Sequence, residues 1–372
     1  MLSVTDLRPL DTATADLSRI IPRANVDVSS VVPVVAPIIE QVRHGGEQTL
    51  LELAERFDGV RPPALRVPAE ALEAADEATH VELLRTLGCA LGKMHAGTAN
   101  EEDAYNVLFQ RMTRSRPNAV VVQRLRDRML AHRIRIGVDF LRRAGIEIPT
   151  EVALIAANVQ SRLLRGGMRA FTPFDLAPDN IIRGDGTFHF LDYEWAGFRD
   201  VSFDVAFVVA RFPVFLAAQP FNAAATEAFV DAWVSEVRGI WPSAEHPDTL
   251  QARITAGLIG WAMSSVAMLE PLTAADVLAS DARLAKEFED AGLSADDFST
   301  EAERAEATDG ATEFNGDVLR PHVEGPFTED ELLVRRDLRE TFESLAAFAG
   351  AGADPAYRQI AAFASGLAER LR

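Results

Sequence analysis

A short β-hairpin in an otherwise helical pattern is the feature that most restricts the fold of this chain. Residues 180–183 and 187–191 are two runs rich in β-branched and aromatic residues, and such runs favour strands. Between them lies Gly184-Asp185-Gly186, and glycine accepts the positive φ angles that a tight turn requires. Elsewhere, and again after Asp204 apart from an acidic segment around residues 287–331, apolar residues recur mainly at helical spacing. The sequence therefore predicts an α+β fold that is mostly α.

Three oxygen-bearing side chains surround this hairpin. Asn180 begins its first strand and Asp192 follows its second, so pairing brings them together across strands about 4.8 Å apart. Asp175 precedes Asn180 by five positions, in a loop that contains Pro173 and Pro178. A loop of that length can return its carboxylate to the same edge, and Mg²⁺ accepts carboxylate and amide oxygens. The pattern predicts a cation site beside a carboxylate that orients a hydroxyl group.

Motifs at the hairpin resemble the aminoglycoside phosphotransferase and choline kinase-like family. The resemblance rests on FDLAPDNII, FLDYEWAGF and RDVSFDVA, and it extends more weakly to LGCALGKMHAGT. It implies a protein kinase-like C-lobe over about residues 80–372, with the hairpin at its active edge. It also implies roles for five residues: catalysis by Asp175, binding of magnesium and ATP phosphates by Asn180 and Asp192, a place in the metal shell for Glu194, and support of the catalytic loop by Asp204.

Several parts of that family's pattern are not found in the sequence. Pro173-Phe174 stands where many relatives have His-Gly. Neither lysine, Lys93 or Lys286, falls in a strand pattern, and no Gly-rich loop precedes residue 80, although kinases hold nucleotide phosphates with such a loop and lysine. The usual kinase N-lobe is therefore expected to be missing. The prediction is a small-molecule phosphotransferase using Mg²⁺ and ATP, or an inactive relative, with a non-catalytic ligand-binding pseudokinase remnant as the alternative.

The first 78 residues resemble a different family. MLSVTDLR, VDVSSVVPVVAPIIEQVRHGG, LLELAERFDGV and RPPALRVPAEALEAAD are similar to the N-terminus of histidinol dehydrogenase, a zinc- and NAD-dependent enzyme family. None of that family's metal or catalytic residues can be assigned here. The resemblance implies a helical N-terminal domain over residues 1–78, followed by the phosphotransferase-like lobe over residues 79–372. A natural fusion, a decayed gene and a wrongly joined reading frame all remain open, and histidinol dehydrogenase activity is a distant alternative.

Charge and cysteine content restrict the partners. The formal net charge of −19 disfavours nucleic acid, because phosphate binding needs clustered Lys and Arg, and it penalises a cationic or metal-bound substrate less. The phosphotransferase resemblance implies a hydroxylated small molecule as the partner, and a cationic one is compatible with this charge. The one cysteine, Cys89, excludes an intrachain disulfide and predicts a cytoplasmic location. The apolar segments are interrupted before about 18 residues, so no membrane partner is expected. The acidic residues 287–331 are expected to form a partly mobile insertion.

Three other residues have structural interpretations. His95 in KMHAG is expected to pack at a helix end, and His189 to lie on a sheet face. Trp195 is expected in a core or hinge position, with stacking on a substrate as the alternative. Similarly, acids that only cap turns are the alternative to a cation site at the hairpin.

Overall fold

Two compact units, Met1–Ala74 and Ala75–Arg372, make up the chain. The computed structural model describes residues 28–59, 61, 77–116, 118–184, 186–213, 222–270, 272–295 and 317–372. The domain boundary predicted between residues 78 and 79 falls inside a helix that begins at Glu77. The acidic insertion predicted at 287–331 lies partly outside the described residues.

The smaller unit is described mainly through one helical segment, α1, Val28–Asp58. This segment consists of two helices that meet at a kink, where Gly46 adopts a φ of 57°. That left-handed conformation carries no Cβ penalty in glycine.

Helices also dominate the larger unit. Its α-helices in the described ranges are α2 Glu77–Thr98, α3 Glu102–Met112, α4 Ala119–Arg143, α5 Thr150–Arg165, α6 Ser202–Val209, α7 Ala223–Val237, α8 Pro247–Ala267, α9 Ala274–Ser280, α10 Ala282–Asp290, α11 Glu329–Gly350 and α12 Pro355–Arg370. None of the helices in these ranges has the length and apolar character to cross a membrane.

Two antiparallel strand pairs complete the larger unit as described. Strands β2, Ile181–Gly184, and β3, Thr187–Phe190, form the predicted hairpin, and the φ of 74° at Gly186 makes its turn. The sequence did not predict the other pair, β1, Arg169–Thr172, with β4, Gly197–Asp200. The larger unit as described is mostly helical with short strands, and this arrangement alone does not test the expected kinase-like C-lobe. That fold therefore stays a prediction.

Close contacts between backbones hold the helical core together. Helix α8 packs on α4, α5, α6 and α11, and much of its length is buried. At the α4–α8 crossing, a Cβ built on Gly137 would lie 1.9 Å from the carbonyl oxygen of Met263. Only a residue without a side chain fits there, so Gly137 sets how closely the two helices approach.

Replacing Gly137 with alanine is therefore expected to lower the free energy of unfolding by about 2–3 kcal/mol, because the helices must separate to admit the methyl group. Gly366 in α12 is the matched control, since a Cβ there has nothing within 4 Å. Gly366→Ala is expected to raise stability by about 0.5–1 kcal/mol. Urea unfolding followed by circular dichroism measures both. Equal effects of the two substitutions would contradict the packing at Gly137.

A capping box begins α11. Thr328 Oγ1 accepts from the Glu331 N–H at 3.1 Å, and the Glu331 carboxylate accepts from the Thr328 N–H at 2.8 Å. Arg320 also donates to Glu331, at 2.6 and 3.2 Å. The Arg320 guanidinium, followed by the Thr328 N–H, lowers the pKa of Glu331 from its ordinary 4.5 to about 2.

Because the folded-state pKa of Glu331 is depressed, its contribution to stability is present above pH 4.5 and is lost as the pH falls towards 2. We expect Glu331→Gln to reduce stability by about 1–3 kcal/mol at pH 7, and the difference from the wild type to shrink below pH 4.5. Glu324→Gln, at an exposed glutamate, is the control. A difference that stays constant from pH 7 to pH 3 would refute this role of the Glu331 charge.

Candidate functional site

A cavity of about 490 Å³ in the larger unit contains the hairpin residues that the sequence singled out. Three aspartates line it, Asp175, Asp179 and Asp192. Five aromatic residues line it as well, Phe174, Trp195, Phe203, Phe207 and Trp261. Among the described lining residues, aspartates therefore outnumber the one arginine, Arg133, three to one. The lining combines acidic with aromatic residues.

The hairpin brings Asn180 and Asp192 together. Asn180 ends a 3₁₀ turn that leads into β2, and its carbonyl accepts from the Leu191 N–H at 2.8 Å where β3 ends. Asp192 follows with a φ of 50°, a left-handed conformation that aspartate tolerates better than most residues. Both side chains line the cavity. Their proximity follows from strand pairing.

Asp175 reaches the cavity from a tight loop. The preceding Phe174 has a φ of 68°, which is unusual for a bulky residue and is held by its surroundings. Its ring packs 5.0 Å from the Trp261 ring. The Asp175 carboxylate accepts from the Ala177 N–H at 3.3 Å, an arrangement typical of aspartate in turns. The loop therefore fixes the position of this carboxylate at the cavity.

Glu194 and Asp204 do not line the cavity. Glu194 is exposed, and its backbone carbonyl accepts from Arg126 at 3.0 Å. Asp204 is fully buried in α6, where its carboxylate lies 3.2 Å from His95 Nε2. Trp233 Nε1 donates to His95 Nδ1 at 3.0 Å, so His95 carries its proton on Nε2 and donates to Asp204. Burial raises the pKa of Asp204, and the bond from His95 opposes that rise.

A buried arginine holds two residues of the cavity wall in place. Arg199 donates to Asp127 Oδ1 at 2.6 and 3.1 Å and to the Trp195 carbonyl at 2.6 Å. Its guanidinium also lies 4.9 Å from the centre of the Phe174 ring. Trp195 and Phe174 line the cavity, so one side chain fixes two parts of its wall and ties them to α4 through Asp127.

Sequence reasoning missed much of the aromatic wall. Trp195 lines the cavity, where the sequence favoured a core or hinge position. Phe203, Phe207 and Trp261 lie in apolar stretches of α6 and α8, and such stretches look the same whether they face a core or a cavity. Asp179 had one available signal, because it is adjacent to Asn180 in the same turn.

Metal-ligand clusters were one expectation for this part of the chain. In the described ranges, no group of three or more His, Cys, Asp or Glu side chains is placed to hold a metal ion. Asn180 and Asp192 both line the cavity, whereas Glu194 does not. The metal-binding roles expected for these three residues stay predictions.

Comparison with known proteins identifies one family over part of the chain. The family model for histidinol dehydrogenase matches residues 21–126. Histidinol dehydrogenase from Thermobifida fusca is 59% identical over 61 residues, which is 16% of this chain and 14% of that protein. The Corynebacterium jeikeium enzyme is 44% identical over 91 residues, 24% of this chain and 20% of the enzyme. The chain spans about a fifth of the length of the curated relatives that it matches.

These matches confirm one resemblance and correct the other. The similarity of the N-terminal residues to histidinol dehydrogenase is confirmed, and the matched segment extends to residue 126. It thereby enters the part that the sequence assigned to an aminoglycoside phosphotransferase-like lobe. That family assignment, and the phosphotransferase, kinase and pseudokinase interpretations drawn from it, are therefore wrong. The expectation of ATP and Mg²⁺ is wrong with them, because the supported resemblance implies NAD and zinc.

Proposed function

We propose that the larger unit binds a small organic cation in the cavity and that this binding is non-catalytic. The observation that supports the proposal is the meeting of three carboxyl groups with the rings of Trp195 and Trp261 around one cavity of about 490 Å³. Ligand sites of small molecules have this size and this mixture of apolar walls with a few polar groups. Cations are favoured both by carboxylates and by the faces of tryptophan rings.

The cavity has features that suit an ammonium group in particular. An ammonium ion needs its charge compensated when it leaves water, and Asp175 offers a carboxylate already held by a backbone bond. The Arg126 guanidinium lies 5.6 Å from the Trp195 ring centre, and contacts of this kind are attractive because the face of a tryptophan ring favours positive charge. The net charge of −19 further favours the approach of a cation.

The family match favours a second candidate function connected with histidinol. Histidinol is an amino alcohol with an ammonium group, so it belongs to the ligand class proposed for the cavity. Histidinol dehydrogenase activity itself is a proposal for a chain that spans about a fifth of those relatives. We keep the kinase-like C-lobe as a proposal about architecture alone, and we propose a cytoplasmic location and no nucleic acid partner.

A thermal-shift comparison on the full chain tests both candidates. The probes are tetramethylammonium, L-histidinol and the neutral tert-butanol, each at about 10 mM, with ionic strength held constant. We expect both cations to raise the melting temperature and tert-butanol to leave it unchanged, because binding to the folded state stabilises it. No stabilisation by either cation would refute cation binding. Formation of NADH from NAD and histidinol would show that the chain is catalytic and would contradict a purely binding role.

A further inference from the structure

A second charged cluster lies outside the cavity, where the end of α5, the end of β4 and α8 meet. Arg162 Nε donates to Asp200 Oδ2 at 3.2 Å, and Arg253 Nη1 lies 3.6 Å from the same oxygen. Asp200 is fully buried, whereas the side chains of Arg162 and Arg253 retain 28% and 20% exposure. None of the three lines the cavity described above.

The charges in this cluster do not balance. Two guanidinium groups share one carboxylate oxygen, and the other oxygen of Asp200 accepts from the N–H and hydroxyl of Ser202, at 3.0 and 2.6 Å. Burial lowers the pKa of Arg253, repulsion from Arg162 lowers it further, and Asp200 opposes both. The cluster therefore carries one surplus positive charge in a largely buried place, where an uncompensated charge is costly.

Several hydrogen-bond donors of the cluster also have no acceptor among the described residues. Arg253 makes no hydrogen bond there, and its Nε and Nη1 atoms are buried without a hydrogen-bond partner, although Nη1 is within ion-pair distance of Asp200. Arg162 donates only through Nε to a described residue, which leaves its terminal nitrogens available. Gly167 adjoins the site, since a Cβ built on it would lie 4.0 Å from Arg253 Nη2. The Nη2 edge of the Arg253 guanidinium therefore lies beside a glycine.

We propose that Arg162 and Arg253 together bind a small oxyanion. A phosphate, sulfate or carboxylate group has paired oxygens that match the planar donors of guanidinium groups. One bound anion would compensate the surplus charge and accept from donors that the described residues leave unused. An acidic chain with a net charge of −19 repels anions in general, so retention of an anion depends on these two side chains.

Isothermal titration calorimetry with inorganic phosphate tests the proposal, with sodium chloride adjusted to keep ionic strength constant. We expect saturable binding by the wild type. Arg253→Gln and Arg162→Gln are each expected to raise the Kd about ten- to hundredfold, because each removes charge-assisted hydrogen bonds. Arg283→Gln is the matched control, since that side chain is 90% exposed and pairs with Glu287. It is expected to leave the Kd unchanged.

Titrations with sulfate and acetate identify the preferred oxyanion, tetrahedral or carboxylate. Circular dichroism checks that each variant is folded, and Arg162→Gln decides the outcome if Arg253→Gln does not fold. Absence of saturable binding by the wild type to all three anions would overturn the proposal. So would binding that either folded glutamine variant leaves unchanged.

Discussion

Replacing Arg335 with methionine is expected to lower the free energy of unfolding by about 4 kcal/mol, because four backbone carbonyls lose a shared donor. Arg335 is 1% exposed in α11. Its guanidinium donates to the carbonyls of Val318, Arg320, Arg370 and Arg372. One side chain thereby joins the 3₁₀ turn Asp317–Leu319 to the C-terminal end of α12.

A ring contact adds to the effect expected for Arg335. The guanidinium lies 3.7 Å from the centre of the Phe327 ring, and such desolvated cation–π contacts contribute about 2 kcal/mol. Because folded domains are stable by only about 5–15 kcal/mol, the loss would be a large part of the total. Lysine at this position would keep the charge but not the planar array of donors, so Arg335→Lys is expected to recover only part of the loss.

Chemical unfolding in urea measures the change, and hydrogen exchange shows where it acts. Faster exchange is expected in α11 and α12, while α2 and α7 are expected to retain most of their protection. Arg358→Met is the control, since Arg358 is exposed on α12 and its replacement is expected to alter stability by less than about 0.5 kcal/mol. A similar small change in Arg335→Met would show that the carbonyls do not depend on this guanidinium.

Replacing Arg199 with methionine is expected to lower stability by about 3–5 kcal/mol, because it removes the buried partner of an ion pair. Asp127 would lose both of its bonds from Arg199, and the Trp195 carbonyl would lose its donor. The contact with the Phe174 ring would be lost as well. Since Trp195 and Phe174 line the cavity, the variant is also expected to bind cations more weakly.

Arg128→Met is the matched control for Arg199→Met. Arg128 lies on α4 and pairs with Asp281 at 3.2 Å, but its side chain is 42% exposed. Surface pairs of this kind contribute about 0–1 kcal/mol, and this one does not contact Trp195 or Phe174. Equal losses of stability in the two variants would contradict the distinct, buried role of Arg199.

The local sequence pattern was sufficient to predict part of the fold and part of the site. The β-branched runs and the glycines predicted the β2–β3 hairpin, and its pairing brings Asn180 and Asp192 to one edge. The β1–β4 pair escaped prediction because each strand has four residues and the two are separated by a long stretch of chain. Pairing of that kind depends on tertiary contacts that no local window contains.

The sequence alone did not predict the full set of residues that line the cavity. Phe203 and Trp261 lie on helices whose apolar pattern is the same for a core and for a cavity wall, and only the packing of α6 on α8 decides between them. The spacing between Asp175 and Asn180 reflects a local turn and does not identify a protein family. The phosphotransferase assignment was based on this spacing, and the match over residues 21–126 corrects it.

Calorimetric titration with tetramethylammonium tests cation binding in the cavity most directly. The wild type is compared with the double variant Asp175→Asn and Asp192→Asn, and with Asp231→Asn, which neutralises an exposed aspartate on α7. We predict saturable binding by the wild type and by Asp231→Asn, with a Kd raised at least about tenfold in the folded double variant. Equal affinity in all three proteins, or no binding by the wild type, would contradict the account.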